Sequence, residues 1–561
     1  MRLLYTLVAN LLRLPFYPLW LLARAFARPR SKWLGLKIRE RVVEVAPAQA
    51  FWMRFVPGID KRLPTSLRAL RRLVDHVVKD AHVEGLSVTL PALALPWARA
   101  QSLRHELTRV RDAGKRVVVH LPDGGGHVTL FVASGGTEIL LAPGATLSTL
   151  GLAAEVRHVR EALEKLGVEV QPFTCGDYKT ALERFTHASM SEPQREQLTA
   201  ILQGHERAFE AALAERGIVG EAFDALFERG LHRGQAAVDA KLVDGLAQAD
   251  GVRRVLGPDD PKPMPAAGYL ARKEARFFRR FRPAPHVAIV SVEGTIAPGP
   301  KADRWIAALR EARRDPRVRG VVLHVDSPGG SALLSEQLHR EVLRLREKKP
   351  VVAYFDGVAA SGGYYLATHT HAIVAQPTTI TGSIGVVSAR LLAKDLLSKV
   401  GVHTEVVRLR PHADLYSPAR SLTDDEQALI RRELDGTYDL FLERVADGRE
   451  MARDTVRGLA GGRVWTGADA ADRGLVDRLG GLSVAYEEVL SRLGGAPLPL
   501  EPLRGPRGDR PPADPPAAVE ALARGGRAWL GWLAPELATW LQLAGGKERA
   551  LLWDPSLPHV E

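Results

Sequence analysis

Residues 115–127 read KRVVVHLPDGGGH, and residues 349–361 read KPVVAYFDGVAAS. Each opens on a lysine, runs through a short β-branched stretch and ends in a turn of small residues. The register holds downstream. EILLAPGATLSTLGL (138–152) lies over AIVAQPTTITGSIGV (372–386), and LEKLGVEV (163–170) over LSKVGVHT (397–404). Lys115 and Lys349, Pro143 and Pro377, Gly151 and Gly385, and Gly167 and Gly401 are each 234 residues apart. A constant offset held over more than 50 residues is the mark of an internal duplication. Farther on, GQAAVDAKLVDGL (234–246) meets GADAADRGLVDRL (467–479) with the offset slipped by one or two residues, as loop insertions produce.

The pattern within each half predicts an α/β fold. A β-branched run (117–119; 351–353) leads to a Gly-rich turn, then to a short apolar run ending at Pro143 or Pro377, then to a helix-period stretch entering another strand. The second half adds VAIVSVEGTI (287–296) and RGVVLHVDSPGG (319–330). Strands alternating with helices indicate sheets covered by helices. The expected organisation is a membrane anchor or interfacial segment at 1–30, an N-terminal domain at 45–255, a Pro- and Arg-rich linker at 256–286, a C-terminal domain at 287–496, and a tail with a Trp-rich helix at 497–561.

The chain has 561 residues and a formal net charge of +12, with arginine far outnumbering lysine. Such a balance suits nucleic acid or an anionic membrane surface. No zinc-finger spacing, aromatic-basic RNA motif or dense basic run supports nucleic acid, so the membrane surface is the reading, with no metal or cofactor implied. Cys175 is the only cysteine, which rules out an intrachain disulfide and reads as a small buried residue. The apolar N-terminus is interrupted by Arg13, Pro15 and Pro18, whereas a spanning helix wants about 20 uninterrupted apolar residues. It reads as a signal anchor or interfacial helix. A cleaved signal peptide is the competing reading, on Ala25-Phe26-Ala27, and an ordinary buried helix is a third. Arg24, Arg28, Arg30, Lys32 and Lys37 crowd its C-terminal side, which would keep the body cytoplasmic if the segment spans. Trp529, Trp532, Trp540 and Trp553 among Leu and Ala read as a helix lying on a membrane or a partner, or as an amphipathic packing helix.

The chemistry centres on GVAASGGYYLAT (357–368), where Ser361 stands among small residues at a strand-to-helix turn. Such a turn exposes a serine oxygen beside free backbone N–H groups; the plainer alternative is an N-cap serine in a packing turn. DSPGG (326–330) follows the strand VVLHV, and its glycines let backbone approach a ligand, as half of an oxyanion hole requires. His369 and His371 sit in a turn entering a strand and read as structural or solvated, leaving no Ser–His–Asp pattern around Ser361. The first half offers Lys179, in TCGDYKTALERF (174–185), at a turn into a helix. A lysine acts as general base only when burial brings its pKa from about 10.4 toward about 7–8.

The duplication tests this pairing. Ser361 maps onto His127, and Lys179 onto Ala413, with no lysine between Lys399 and Lys547. The matching stretch for DSPGG is TLPALALP (89–96). One half has the nucleophile and the other the base, the pattern of a composite site shared by duplicated halves. Ser134, in VASGG (132–136), imitates the nucleophile but falls in register with Thr368 and takes no catalytic role. Ser383, in TGSIG (381–385), is a candidate to orient the lysine and relay a proton; Thr149 fills the matching slot.

DSPGG (326–330), AASGGYY (359–365), TGSIG (381–385), GDYKTALERF (176–185) and VWTGADAADRGLVDRLGG (464–481), in this arrangement over residues 50–495, resemble the signal peptide peptidase A (protease IV) family in its long bacterial form. The resemblance implies two tandem ClpP/crotonase-like domains and a Ser–Lys dyad hydrolysing cleaved signal peptides at the bacterial inner membrane. It implies Ser361 as nucleophile, Lys179 as base, Ser383 as the residue assisting it, and the N–H groups of Gly330 and Gly362 as oxyanion donors. It also implies a homotetramer with sites facing an inner cavity, and a periplasmic body, against the cytoplasmic one that the flanking charges give. Two rival functions share the features read from the residues: a crotonase-type acyl-CoA enzyme, which would need carboxylate acid/base groups, and an inactive membrane-surface scaffold.

Overall fold

A computed structural model describes residues 2–26, 31–46, 64–259, 261–278, 281, 284–503 and 551–553. Of the expected Trp-rich segment, only Leu551–Trp553 falls among them; Ala27, Arg28 and Arg30 lie outside the described residues, as does most of the tail. The chain divides into two compact units, Met1–Ala153 with His205–Ala284, and Ala154–Gly204 with Pro285–Pro558.

The main sheet of the first unit is parallel, in the order Gly245–Leu246, Glu138–Leu141, Arg116–Leu121, Gly85–Thr89, Trp33–Lys37, Met264–Pro265, and two short strand pairs, Val42–Val43 with Thr65–Ser66 and Thr146–Ser148 with Leu231–Arg233, stand apart from it. Val117, Val118 and Val119 are buried in its centre, as β-branched residues covered on both faces should be. Ser66 caps the helix Leu67–Lys79 by accepting from the Ala69 N–H, and Leu70, Leu73, Val74 and Val77 recur at helical spacing into the core. The N-terminus is two short helices, Arg2–Arg13 and Tyr17–Phe26, joined by a 3-10 turn at Leu14–Phe16 where Pro15 removes a backbone donor. Tyr17 and Trp20 pack 5.4 Å from Phe277, while Leu11, Leu12, Phe16, Leu19 and Leu22 are more than half exposed. Among the described residues no helix is long and apolar enough to cross a membrane.

The second unit is built on a sheet in the order Val464–Thr466, Ile380–Gly382, Val351–Ala360, Val318–Ser327, His286–Glu293, Leu500–Pro502. Only the outermost pair, Val464–Thr466 with Ile380–Gly382, is antiparallel on this path. Val290, Leu323 and Ala353, with Val292, Val325 and Phe355 two residues on, line the core. Each Val, Leu or Phe buried there stabilises by about 1.5–3 kcal/mol, which makes this sheet a rigid base. The strand Val351–Ala360 pairs first with Ala372–Ala375 and, from Val358, with Ile380–Gly382. That change of neighbour delivers residue 361 beside residues 382–383.

A second sheet in this unit runs Gly329–Ser331, Leu551–Trp553, Val386–Leu392, Glu169–Cys175, all antiparallel. Seven consecutive pairs, from Val386 opposite Cys175 to Leu392 opposite Glu169, hold the lysine-bearing segment to the strand that follows Ser383. The repeat assigns residues 154–204 to the first half by sequence, and by packing they lie in the second unit.

Candidate active site

Ser361 terminates the strand Val351–Ala360 with φ 53° and ψ −115°, a region a residue with a Cβ rarely occupies. Among the described residues the non-glycine positions of positive φ are Lys241, Ser361, Ser383 and Glu450, so two of the four are site candidates. Such strain persists where surrounding bonds over-determine it. The Ser361 N–H donates to the Gly382 carbonyl at 2.8 Å, and its own carbonyl accepts from the Tyr365 N–H at 2.8 Å. The turn Gly362–Tyr365 is pinned in turn: the Tyr364 hydroxyl donates to the Leu475 carbonyl at 2.9 Å and the Tyr365 hydroxyl to Glu336 at 2.6 Å. Burial opposes ionisation of Glu336, yet hydrogen bonds from His339, Tyr365 and Arg444 prevail and hold its carboxyl down to about 2.

Lys179 enters from the other sheet. The strand Glu169–Cys175 ends at Gly176, and Lys179 immediately precedes the 3-10 turn Thr180–Leu182. Its Nζ lies 2.9 Å from Ser361 Oγ, 2.8 Å from Ser383 Oγ and 3.1 Å from the Ser383 carbonyl oxygen. Lys179 is 3% exposed, and Ser361 and Ser383 are fully buried. The Ser383 carbonyl accepts only, so it takes one N–H of the amine. An uncharged amine has a second N–H for Ser383 Oγ and a lone pair for the Ser361 hydroxyl proton. Desolvation favours that uncharged form. Ser383 is itself fixed by its N–H, which donates to the Arg463 carbonyl at 2.7 Å.

Gly330 lies in the strand Gly329–Ser331, opposite Leu552 and bridged to Ile296, and Gly362 follows Ser361 directly. The two motifs touch. A Cβ on Gly363 would stand 2.6 Å from the Ser327 carbonyl oxygen, so only glycine allows this approach. Asp326 accepts from the Val358 N–H at 3.2 Å, tying DSPGG to the strand that leads to Ser361.

The remaining candidates lie apart from this cluster. His369 pairs with His339 at 2.8 Å, and His371 bonds the Val351 backbone. The Ser134 hydroxyl donates to the Phe131 carbonyl and accepts from Arg104, each at 2.8 Å. Burial first, then a hydrogen bond with Asp435, pushes the Cys175 thiol up to about 12, which leaves it unreactive. In the first unit His127 is buried against Phe209 and Phe227, and Thr149 spends its hydroxyl on the Leu226 carbonyl at 2.6 Å. Sequence reasoning missed the residues that hold the lysine turn: Gln197, which bonds on both sides of Lys179, and Arg463, which lies 4.7 Å over the Tyr178 ring. The glycine pair Gly461-Gly462 beside Arg463 was the only signal of a close approach; Gln197 sits in an ordinary helical run and gave none.

Residues 109–258 and 344–493 each match Peptidase family S49, so the two matches fall on the two halves of the duplication. The chain is 32% identical to Protease 4 of Salmonella typhi over 463 residues, covering 78% of this chain and 74% of that protein. It is 30% identical to the chloroplastic serine protease SPPA of Arabidopsis thaliana over 438 residues, covering 74% of this chain and 64% of that protein. With Protease 4 of Haemophilus influenzae it shares 30% identity over 425 residues, 68% of this chain and 66% of that protein. The chain thus spans slightly less than two thirds of the length of two of these relatives. A buried serine–lysine contact, a tandem α/β architecture of ClpP-like type and matches over both halves lead to one assignment: the chain belongs to peptidase family S49, a family of serine peptidases, and carries the family's domain twice.

Proposed function

We propose that the chain is a serine endopeptidase working through a Ser361–Lys179 dyad on apolar peptides, cleaved signal peptides among them. The observation that carries the reading is the 2.9 Å approach of Lys179 Nζ to Ser361 Oγ, with both side chains buried. The uncharged amine takes the hydroxyl proton as Ser361 Oγ attacks the peptide carbonyl carbon. Backbone N–H groups, with Gly330 and Gly362 the candidates, face the oxyanion. Collapse breaks the C–N bond, and the Lys179 ammonium returns its proton to the leaving amine. Water then attacks the acyl-enzyme, losing a proton to Lys179, and Ser361 recovers one as the acid departs. Ser383 holds the amine in place through both steps.

The acyl-CoA reading loses its ground with the family assignment, and the scaffold reading is disfavoured by a serine and a lysine that meet at hydrogen-bond distance. Attachment to a membrane surface is supported by the exposed Leu11, Leu12, Phe16, Leu19 and Leu22 on short helices with basic residues beyond them. The resemblance to the long-form peptidases supports a homotetramer, for which sedimentation equilibrium is the check. Active-site labelling with a fluorophosphonate tests the dyad: Ser361→Ala removes the label, and Lys179→Ala slows it by at least about a thousandfold. Undiminished labelling of Lys179→Ala refutes the dyad.

A further inference from the structure

Lys179 sits between Tyr178 and Thr180, and one side chain bonds to both residues. Gln197, in the helix Glu192–Ala214, is 3% exposed. Its Nε2 donates to the Thr180 hydroxyl at 2.7 Å and to the Tyr178 carbonyl at 3.4 Å. Its Oε1 accepts from the Val464 N–H at 3.4 Å. Val464 pairs with Gly382, and the Gly382 carbonyl accepts the Ser361 N–H. One path from the lysine's neighbours to the serine's own backbone therefore runs through this amide, beside a backbone link in which the Tyr178 N–H donates to the Gly461 carbonyl at 2.9 Å. A buried amide that lost these partners would carry the cost of unsatisfied groups, so the clamp has one stable setting.

An outer layer repeats the link. The Tyr178 hydroxyl donates to Glu196 at 2.5 Å, and Arg463 pairs with Glu196 at 2.7 Å while its guanidinium lies 4.7 Å from the Tyr178 ring and 4.5 Å from the Trp465 ring. Arg463 also accepts the Ser383 N–H on its carbonyl. These groups are partly exposed and weaker, whereas Gln197 is enclosed.

We propose that Gln197 is a positioning residue for the reaction: it ties the Tyr178 carbonyl and the Thr180 hydroxyl, on either side of Lys179, to the strand beside Ser361 and so sets the amine-to-hydroxyl distance. This rests on the dyad reading above. A base displaced by about 1 Å loses about a hundredfold in rate, so a single amide can govern activity without touching substrate.

The experiment compares Gln197→Met with Gln194→Met in the full-length protein. Gln194 lies on the same helix, is buried to 1% exposure and makes no side-chain hydrogen bond among the described residues. It therefore reports what loss of a buried glutamine does to the fold alone. Gln197→Met should lower kcat and the fluorophosphonate labelling rate by about 10–100-fold, with KM within about twofold. It should also move the acid limb of the kcat–pH profile upward, since a loosened, hydrated amine holds its proton more firmly. Gln194→Met should change neither. Thr180→Val, which removes the nearest partner and leaves Gln197 in place, should move both readouts the same way, and it carries the test if Gln197→Met does not fold. Equal kcat, labelling rate and pH midpoint in the Gln197 and Gln194 variants, or a silent Thr180→Val, overturn the proposal. Labelling that survives Lys179→Ala overturns the dyad instead, so the two failures are distinct.

Discussion

Gly462 backs directly onto Lys179: a Cβ on the glycine would stand 2.5 Å from the lysine's N, Cα and Cβ. Carbon atoms in contact sit at about 3.5–4.0 Å. Gly462→Ala must therefore push the lysine turn away by about 1 Å, and φ +83° at that residue adds strain of its own. The expected result is a folded protein whose fluorophosphonate labelling is slowed about a hundredfold. Labelling at the wild-type rate would mean the turn yields without moving the amine.

The backbone at Ser361 makes a prediction about stability. Its φ of 53° with ψ −115° costs a residue with a Cβ about 1–3 kcal/mol, against about 0.5–1 kcal/mol of extra chain entropy lost by glycine. Strain outweighs the entropy, so the inactive variant Ser361→Gly should melt higher than the equally inactive Ser361→Ala, by about 2–4 °C for each kcal/mol. Differential scanning calorimetry of the pair decides it. An alanine variant that melts as high would show that the turn is unstrained.

Much of this arrangement was legible in the sequence because duplication leaves a register. The constant offset paired Ser361 with His127 and removed Ser134, whose motif alone would have misled. The β-branched runs at 117–119 and 351–353 identified central strands, since burial on both faces demands such residues. What the sequence could not show was packing. Residues 154–204 lie in the first half by descent, and they belong to the second unit because Glu169–Cys175 pairs in seven places with Val386–Leu392. Ladder partners far apart in the chain leave no local pattern. Gln197 was invisible for the same reason: its meaning lies in Thr180, Tyr178 and Val464, and nothing in its own helix records them.

Ser383 contributes two contacts to the lysine, a hydroxyl at 2.8 Å and a backbone carbonyl at 3.1 Å, and only the first is removed by Ser383→Ala. The loss of one such bond is worth about 1–2 kcal/mol, or about 5–30-fold in rate. Ser383→Ala should thus keep measurable peptidase activity where Lys179→Ala keeps almost none. Steady-state kinetics on a fluorogenic peptide make the comparison, and equal loss in the two variants would give Ser383 a more direct part in proton transfer.

His127, in register with Ser361, carries the last prediction. Burial between Phe209 and Phe227 brings its imidazole from 6.5 down to about 4, and its Nε2 has no hydrogen-bond partner among the described residues. The folded state therefore binds this proton less well than the unfolded chain does. Linkage then fixes the sign: the contribution is fully present above about pH 6.5 and is lost as pH falls toward about 4, where the unfolded chain gains a proton that the fold resists. His127→Phe keeps an aromatic ring in the same cage and removes the titration. Other groups, including His369, remain in both proteins and cancel in the comparison. Between neutral pH and about pH 4.5, the melting temperature of the wild type should fall farther than that of His127→Phe. Equal falls in the two proteins would mean that His127 reaches solvent and takes up its proton without penalty.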